Sequence, residues 1–105
     1  MENIELVSFQ IISNTGMAKS DYMEAIQEAK KGRFGRAQEK IQEGDKCMIQ
    51  GHTAHAQLIQ QEAAGKSVSV NLLLMHAEDQ LMNAETIKIL ALELIDLYQH
   101  EKSPS

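Results

Sequence analysis

The chain has 105 residues, a formal net charge of −5 and one cysteine, with 24% charged and 43% apolar residues. This length points to one domain over 1–105, this composition to a folded chain, and the modest core of so short a chain to association with copies of itself. The acidic balance excludes nucleic acid as the main partner, since phosphate binding needs a basic surface, and a lone Cys47 excludes an internal disulfide and suits a reducing cytoplasm.

The opening MENIELVSFQ has no basic region followed by an apolar stretch, so no signal peptide is expected, and no run reaches membrane-spanning length. From there the chain divides at its glycines. KKGRFG (30–35) and AAGKSVS (63–69) separate three long segments, roughly 3–31, 34–63 and 68–101, each with helical spacing. Strand alternation and hairpin signals are missing, so the expected fold is all-α, an antiparallel three-helix bundle. In the first segment, ISNTGMAKSD (12–21) suggests a kink or brief break at Gly16. In the second, Phe34, Ala37, Ile41, Met48, His52, His55 and Ile59 define one face, and Arg36, Glu39, Lys40, Glu43 and Lys46 a solvated one. The Ser103–Ser105 tail is expected to fray.

The third segment opens with LLLMHAEDQLM (72–82), one histidine and two adjacent carboxylates inside an apolar run. At about 100° per residue, Leu72, His76, Asp79, Asn83, Thr86, Leu90, Leu94 and Leu97 fall in one stripe about 80° wide, leucine at both ends and polar in the middle. Met75, Met82 and Ile89 flank it on one side; Leu73, Ile87, Ala91 and Ile95 lie on the other. Leu74, Leu81 and Leu92 make even the far side apolar. A helix apolar nearly all round is buried on more than one side, which a three-helix monomer does not achieve, so this helix is expected to meet a neighbouring subunit. Buried copies of Asp79 converging on a symmetry axis would repel unless they shared protons or a hard cation such as Mg²⁺.

Each candidate also has a plain structural reading. His76 could be a hydrogen-bonded core histidine, and Asp79 an exposed carboxylate or the partner of a lysine. Glu78 falls on another face, near Glu85 and Asp96, as a solvated side chain. His52 and His55 form H-x-x-H in GHTAHA, which could share Zn²⁺, but no third His or Cys follows at the required spacing. Cys47 reads as a buried small residue, and Met48, Met75 and Met82 as core filler. Lys30, Lys31, Arg33 and Arg36 make a basic patch too small to argue for nucleic acid. There is no phosphate-cradling loop, serine-nucleophile motif or paired-cysteine metal site.

Four stretches in order, NTGMAKS, EAIQEAKKGRFGRAQEKIQEG, AHAQLIQQEAAGK and above all LLLMHAEDQLM, resemble the lactose/cellobiose-type enzyme IIA of the bacterial phosphoenolpyruvate-dependent sugar phosphotransferase system. The last is similar to the family's Met-His-x-x-Asp-x-Leu-Met segment. The resemblance implies a cytoplasmic homotrimer of three-helix subunits. In it His76 accepts a phosphoryl group on Nε2 from HPr and passes it to a cysteine of enzyme IIB. Asp79 meets its copies at the threefold axis and holds one divalent cation per trimer, usually Mg²⁺. Contact with the membrane is indirect, through the enzyme IIC sugar transporter. The sequence departs from the family's common Gln-Asp-His-Leu-Met with Glu78 and Gln80, and from a common Gln-Thr with His55–Ala56. Gln80, at i+4 from His76, can still donate a hydrogen bond to a phosphoryl group but carries no positive charge, and Glu78 adds a negative one. The competing expectation is a diverged, non-catalytic helical regulatory or interaction module.

Overall fold

A computed structural model describes residues 3–102 of the chain. It contains three α-helices, α1 (Ile4–Lys30), α2 (Phe34–Ala63) and α3 (Leu72–Lys102), with no strand among the described residues. They run up, down and up in a bundle of 58 × 20 × 19 Å. Tyr22 meets Asp45 and Glu24 meets Lys40 across α1 and α2, while Asp45 meets Lys88 and His55 meets Glu78 across α2 and α3, which fixes the antiparallel sense of both pairs. α1 packs closely along both other helices, whereas α2 and α3 approach each other far less closely.

Local chemistry sets the ends. Asn3 caps α1, its side-chain oxygen accepting from the N–H groups of Glu5 and Leu6. α1 and α2 both stop at a glycine with positive φ, Gly32 (79°) and Gly65 (83°). Around each, paired N–H groups turn back on the last carbonyls: Gly32 to Ala29 and Arg33 to Glu28, then Gly65 to Glu62 and Lys66 to Gln61. α3 starts at residue 72 rather than 68. Asn71 is the reason: its side chain accepts from the Leu74 N–H and its carbonyl from the Met75 N–H, so the helix begins at the cap and leaves Val68 to Val70 outside it. The expected break at Gly16 is absent. α1 is continuous, and Gly16 lies on its outer surface with no atom near its missing side chain. The tail expected to fray, Ser103–Ser105, lies outside the described residues.

Each helix turns one line of residues inward at alternating steps of three and four, the spacing of a left-handed bundle seam. α1 contributes Val7, Ile11, Thr15, Ala18, Tyr22, Ala25 and Ala29, and α3 contributes Leu74, Ala77, Leu81, Ala84, Ala91 and Ile95. On α2 the line is Ala37, Ile41, Gly44, Met48, Gly51, Ala54 and Leu58. The expected α2 face is therefore right as far as Met48 and wrong beyond it. His52 and Ile59 are exposed and His55 is half-buried, because Gly51 takes the inward place. A Cβ at Gly51 would lie 3.4 Å from Thr15 Cγ2 and 3.5 Å from Leu81 Cδ1; at Gly44 it would lie 2.6 Å from the Tyr22 ring. Gly44 thus leaves no room for a side chain beside Tyr22, and Gly51 leaves little beside Thr15 and Leu81. On α3 the correction is larger. Leu74 and Leu81, expected on the far side, are core residues, and Met75 and Met82, expected as filler, are 57% and 59% exposed. Met48 is buried, as expected.

Candidate functional site

The stripe that holds His76 points away from the bundle. Leu72, His76, Asp79, Asn83, Thr86, Leu90 and Leu97 are all exposed, and Leu94 is half-buried. Met75, Met82 and Ile89 lie beside them, each more than half exposed. The inward line of α3 is centred on Ala77, Leu81 and Ala84, and at about 100° per residue Asp79 stands nearly opposite that direction, with His76 about 60° to its side. A helix of this kind carries two apolar faces, of which the chain covers one. The exposed face is the larger in bulky side chains.

The His76 imidazole is held on the second turn of α3, just above the Asn71 cap. Its ring makes no hydrogen bond or ion pair among the described residues, so both nitrogens are open to a reactant. The core-histidine reading therefore does not apply. Asp79 is likewise exposed and without an ion-pair partner among the described residues. No group of three or more His, Cys, Asp or Glu able to hold a metal ion occurs among the described residues of the one chain. An unpaired carboxylate is the donor a hard cation takes, so Asp79 fits such an ion only as one ligand of a set completed from other copies. Gln80 is half-buried next to His76 on the same surface, its side chain making no hydrogen bond among the described residues.

Glu78 differs from its sequence reading. It is not a free solvated carboxylate: Glu78 Oε1 lies 3.1 Å from His55 Nε2, across the α2–α3 seam. Glu85 pairs in the same way with His52, at 3.0 Å. The H-x-x-H histidines thus face two different glutamates. Farther along the seam, Lys88 Nζ lies 2.9 Å from Asp45 Oδ1, which also accepts from the Tyr22 hydroxyl at 2.7 Å, so one carboxylate ties all three helices together. Sequence reasoning missed this clasp. The available signal was Tyr22 itself, a tyrosine on an inward line whose hydroxyl needs a partner. Between these pairs lies an open groove of ≈ 480 Å³, floored by Met48, Ile49 and Ile89.

Burial first, then the hydrogen bond to Asp45, pushes the Tyr22 phenol well above its ordinary range. Burial, then the charges of Asp21 and Glu43, pushes the Cys47 thiol up. Cys47 is half-buried rather than fully buried, and the upward shift disfavours its thiolate. The basic patch around the first turn is partly spent on local pairs, Arg33 with Glu28 at 3.7 Å and Arg36 with Glu39 at 4.0 Å. Among the described residues no helix is long and apolar enough to cross a membrane.

Fold and site together define a small helical-bundle protein that, among its described residues, presents the open His76 imidazole on an uncovered apolar helix face. The chain belongs to the lactose/cellobiose-specific IIA subunit family of the phosphotransferase system, whose family model matches residues 6–99. It is 42% identical to the lichenan-specific phosphotransferase enzyme IIA component of Bacillus subtilis over 98 residues, 93% of this chain and 89% of that one. Among solved structures, the cellobiose-specific enzyme IIA of Bacillus anthracis superposes with a TM-score of 0.95 at 41% identity, covering 100% of this chain and 96% of that one. The Escherichia coli IIA(Chitobiose) component, solved in complex with HPr, superposes with a TM-score of 0.84 at 30% identity, covering 98% of this chain and 100% of that one.

Proposed function

We propose that this chain is the cytoplasmic phosphocarrier of a disaccharide-type uptake system, receiving a phosphoryl group from phosphorylated HPr on His76 and handing it to a cysteine of enzyme IIB. The observation that carries the reading is the open His76 ring, without a partner among the described residues, on the exposed face of α3 in a chain of the IIA family. A neutral imidazole is a good nucleophile in the physiological range. Its Nε2 lone pair attacks phosphorus as the N–P bond of the donor phosphohistidine breaks, and Nδ1 keeps its proton. In the second transfer the N–P bond at His76 breaks and an S–P bond forms on the cysteine thiolate of enzyme IIB. Little covalent help is needed from the protein; alignment and stabilisation of the equatorial oxygens suffice. Gln80 is suited to donate one hydrogen bond to those oxygens. The E. coli relative's complex with HPr supports HPr as the donor here.

The uncovered apolar face supports a homotrimer in which three α3 helices meet. Three Asp79 carboxylates would then share one cation, probed best with Mg²⁺, which when bound neutralises their mutual repulsion. Contact with the membrane would run through the enzyme IIC transporter.

The test is to incubate the purified chain with phosphoenolpyruvate, enzyme I and HPr and look for an acid-labile phosphate by intact mass and peptide mapping, with His76→Ala beside it. Phosphate on His76, lost in the variant, is the expected result. No phosphate on a folded, associated protein would sink the carrier reading in favour of a regulatory module. Sedimentation of the wild type and Asp79→Asn with and without Mg²⁺ tests the axis: a trimer that tightens with Mg²⁺ only when Asp79 is present is expected.

A further inference from the structure

We propose that the flank of α1 formed by Phe9, Gly16 and Met23 receives the Met75–Met82–Ile89 ridge of a second copy of this chain, with Gly16 as the gap into which Met82 fits. The proposal rests on the reading of the outward α3 face as an association face.

The two sets of residues lie on opposite sides of the stripe that holds His76. Met75, Met82 and Ile89 recur at every seventh position and are each more than half exposed. They stand on the α2 side of that stripe: Glu78 and Glu85 reach α2 from the same flank, and Ile89 borders the open groove with Met48 and Ile49. Phe9, Gly16 and Met23 also recur at every seventh position, and all three are exposed. On α1 the residues that turn toward α2 are Gln10 and Asn14, which share a recess with Gln50 and Thr53. At about 100° per residue, Phe9, Gly16 and Met23 point about 140° away from these, to the flank beside α3. Ile12 and Ile26, next to them, are partly buried against the core.

The heights of the two ridges match. Thr15 and Leu81 both border Gly51, and Tyr22 and Lys88 both meet Asp45. In each bridge the α3 residue comes 66 positions after the α1 residue, and α1 and α3 run in the same direction. By that offset Phe9 stands level with Met75, Gly16 with Met82 and Met23 with Ile89. Copies arranged in a ring about an axis facing the His76 stripe bring the α1 side of each to the α2 side of the next. Each ridge residue then meets its level counterpart in the neighbouring copy. Charge agrees with this register: Lys19, which has no ion pair among the described residues, comes level with Glu85 of the next copy. The register also accounts for Gly16. A glycine in mid-helix is a poorer helix former than alanine, and its own chain has no use for the space, since a Cβ there would have no atom within 4 Å. Opposite Met82, the missing side chain is the hole for a large knob.

The experiment is sedimentation equilibrium of the unaltered chain, Gly16→Ala and Gly16→Leu, with denaturant midpoints taken at a concentration where the chain is dissociated. Disulfide trapping of Met23→Cys with Ile89→Cys, in a Cys47→Ala background, runs beside it. Both Gly16 variants are expected to be at least as stable as the unaltered chain when dissociated. Both are expected to associate more weakly, Gly16→Leu by about tenfold or more, because the added side chain takes the place of Met82. Mild oxidation of the 23–89 cysteine pair is expected to link copies into a covalent ring. Met17→Cys with Ile89→Cys, the first on the α2 side of α1, is expected to stay unlinked. A Gly16→Leu variant that associates as tightly as the unaltered chain overturns the proposal, and so does a 23–89 pair that links no better than the 17–89 pair. Either result leaves α3 as the association face, whereas an unaltered chain that stays monomeric removes both.

Discussion

The two faces of α3 differ in side-chain size as well as in polarity. The inward face alternates leucine or isoleucine with Ala77, Ala84 and Ala91, all three fully buried. The outward face carries Met75, Met82, Ile89, Leu90 and Leu97, each about half exposed or more. Small residues go where the chain's own helices must approach closely, and large ones go where nothing within the chain covers them. The face that holds His76 is therefore left uncovered by the chain's described residues, and the face behind it is closely packed.

Adjacent residues break this comparison most directly. Leu81→Ala should cost about 2–5 kcal/mol in denaturant unfolding, independent of protein concentration, because it empties a packed site. Met82→Ala should cost under about 0.5 kcal/mol in the dissociated chain, yet weaken association, read by sedimentation equilibrium. Equal, concentration-independent losses would show that the outward face is no association surface.

The seam opposite α3 gives a smaller effect. Gly44→Ala places a methyl 2.6 Å from the Tyr22 ring, and overpacking there should cost about 1–3 kcal/mol by denaturant titration. Tyr22→Phe should cost about 1 kcal/mol, since Asp45 keeps Lys88 when the hydroxyl is removed. Its pH signature is more telling. The folded state raises the Tyr22 phenol above its ordinary value of 10.0 and so favours the protonated form. That contribution is complete below pH 10.0, the ordinary value, and is lost as pH rises toward the raised one. The unaltered chain should lose stability above that point and Tyr22→Phe should lose less; parallel alkaline curves would contradict the role given to Tyr22. Smallest of all, His52→Ala removes a half-exposed pair with Glu85 and should cost no more than about 1 kcal/mol, measured by thermal unfolding.

Sequence alone determined the helices, their period and their turns. Gly32 and Gly65 had to end helices because only glycine takes positive φ cheaply there, and the polar interruption of an apolar stripe at His76, Asp79 and Asn83 singled out the candidate site. The start of α3 at the Asn71 cap is consistent with a residue type favoured there, although the segment was expected from about residue 68. What the sequence could not decide was which of two apolar faces turned inward. Hydrophobicity ranks Leu and Met above Ala and Gly, so a reading by size sends Met75 and Met82 to the core and passes over Gly44 and Gly51. Only the packed helices show that close approach, not bulk, selects the inward line. Only they bring His55 to Glu78 and Asp45 to both Tyr22 and Lys88, pairs 23 residues or more apart, because a helical period says which residues share a face but not which face meets which neighbour.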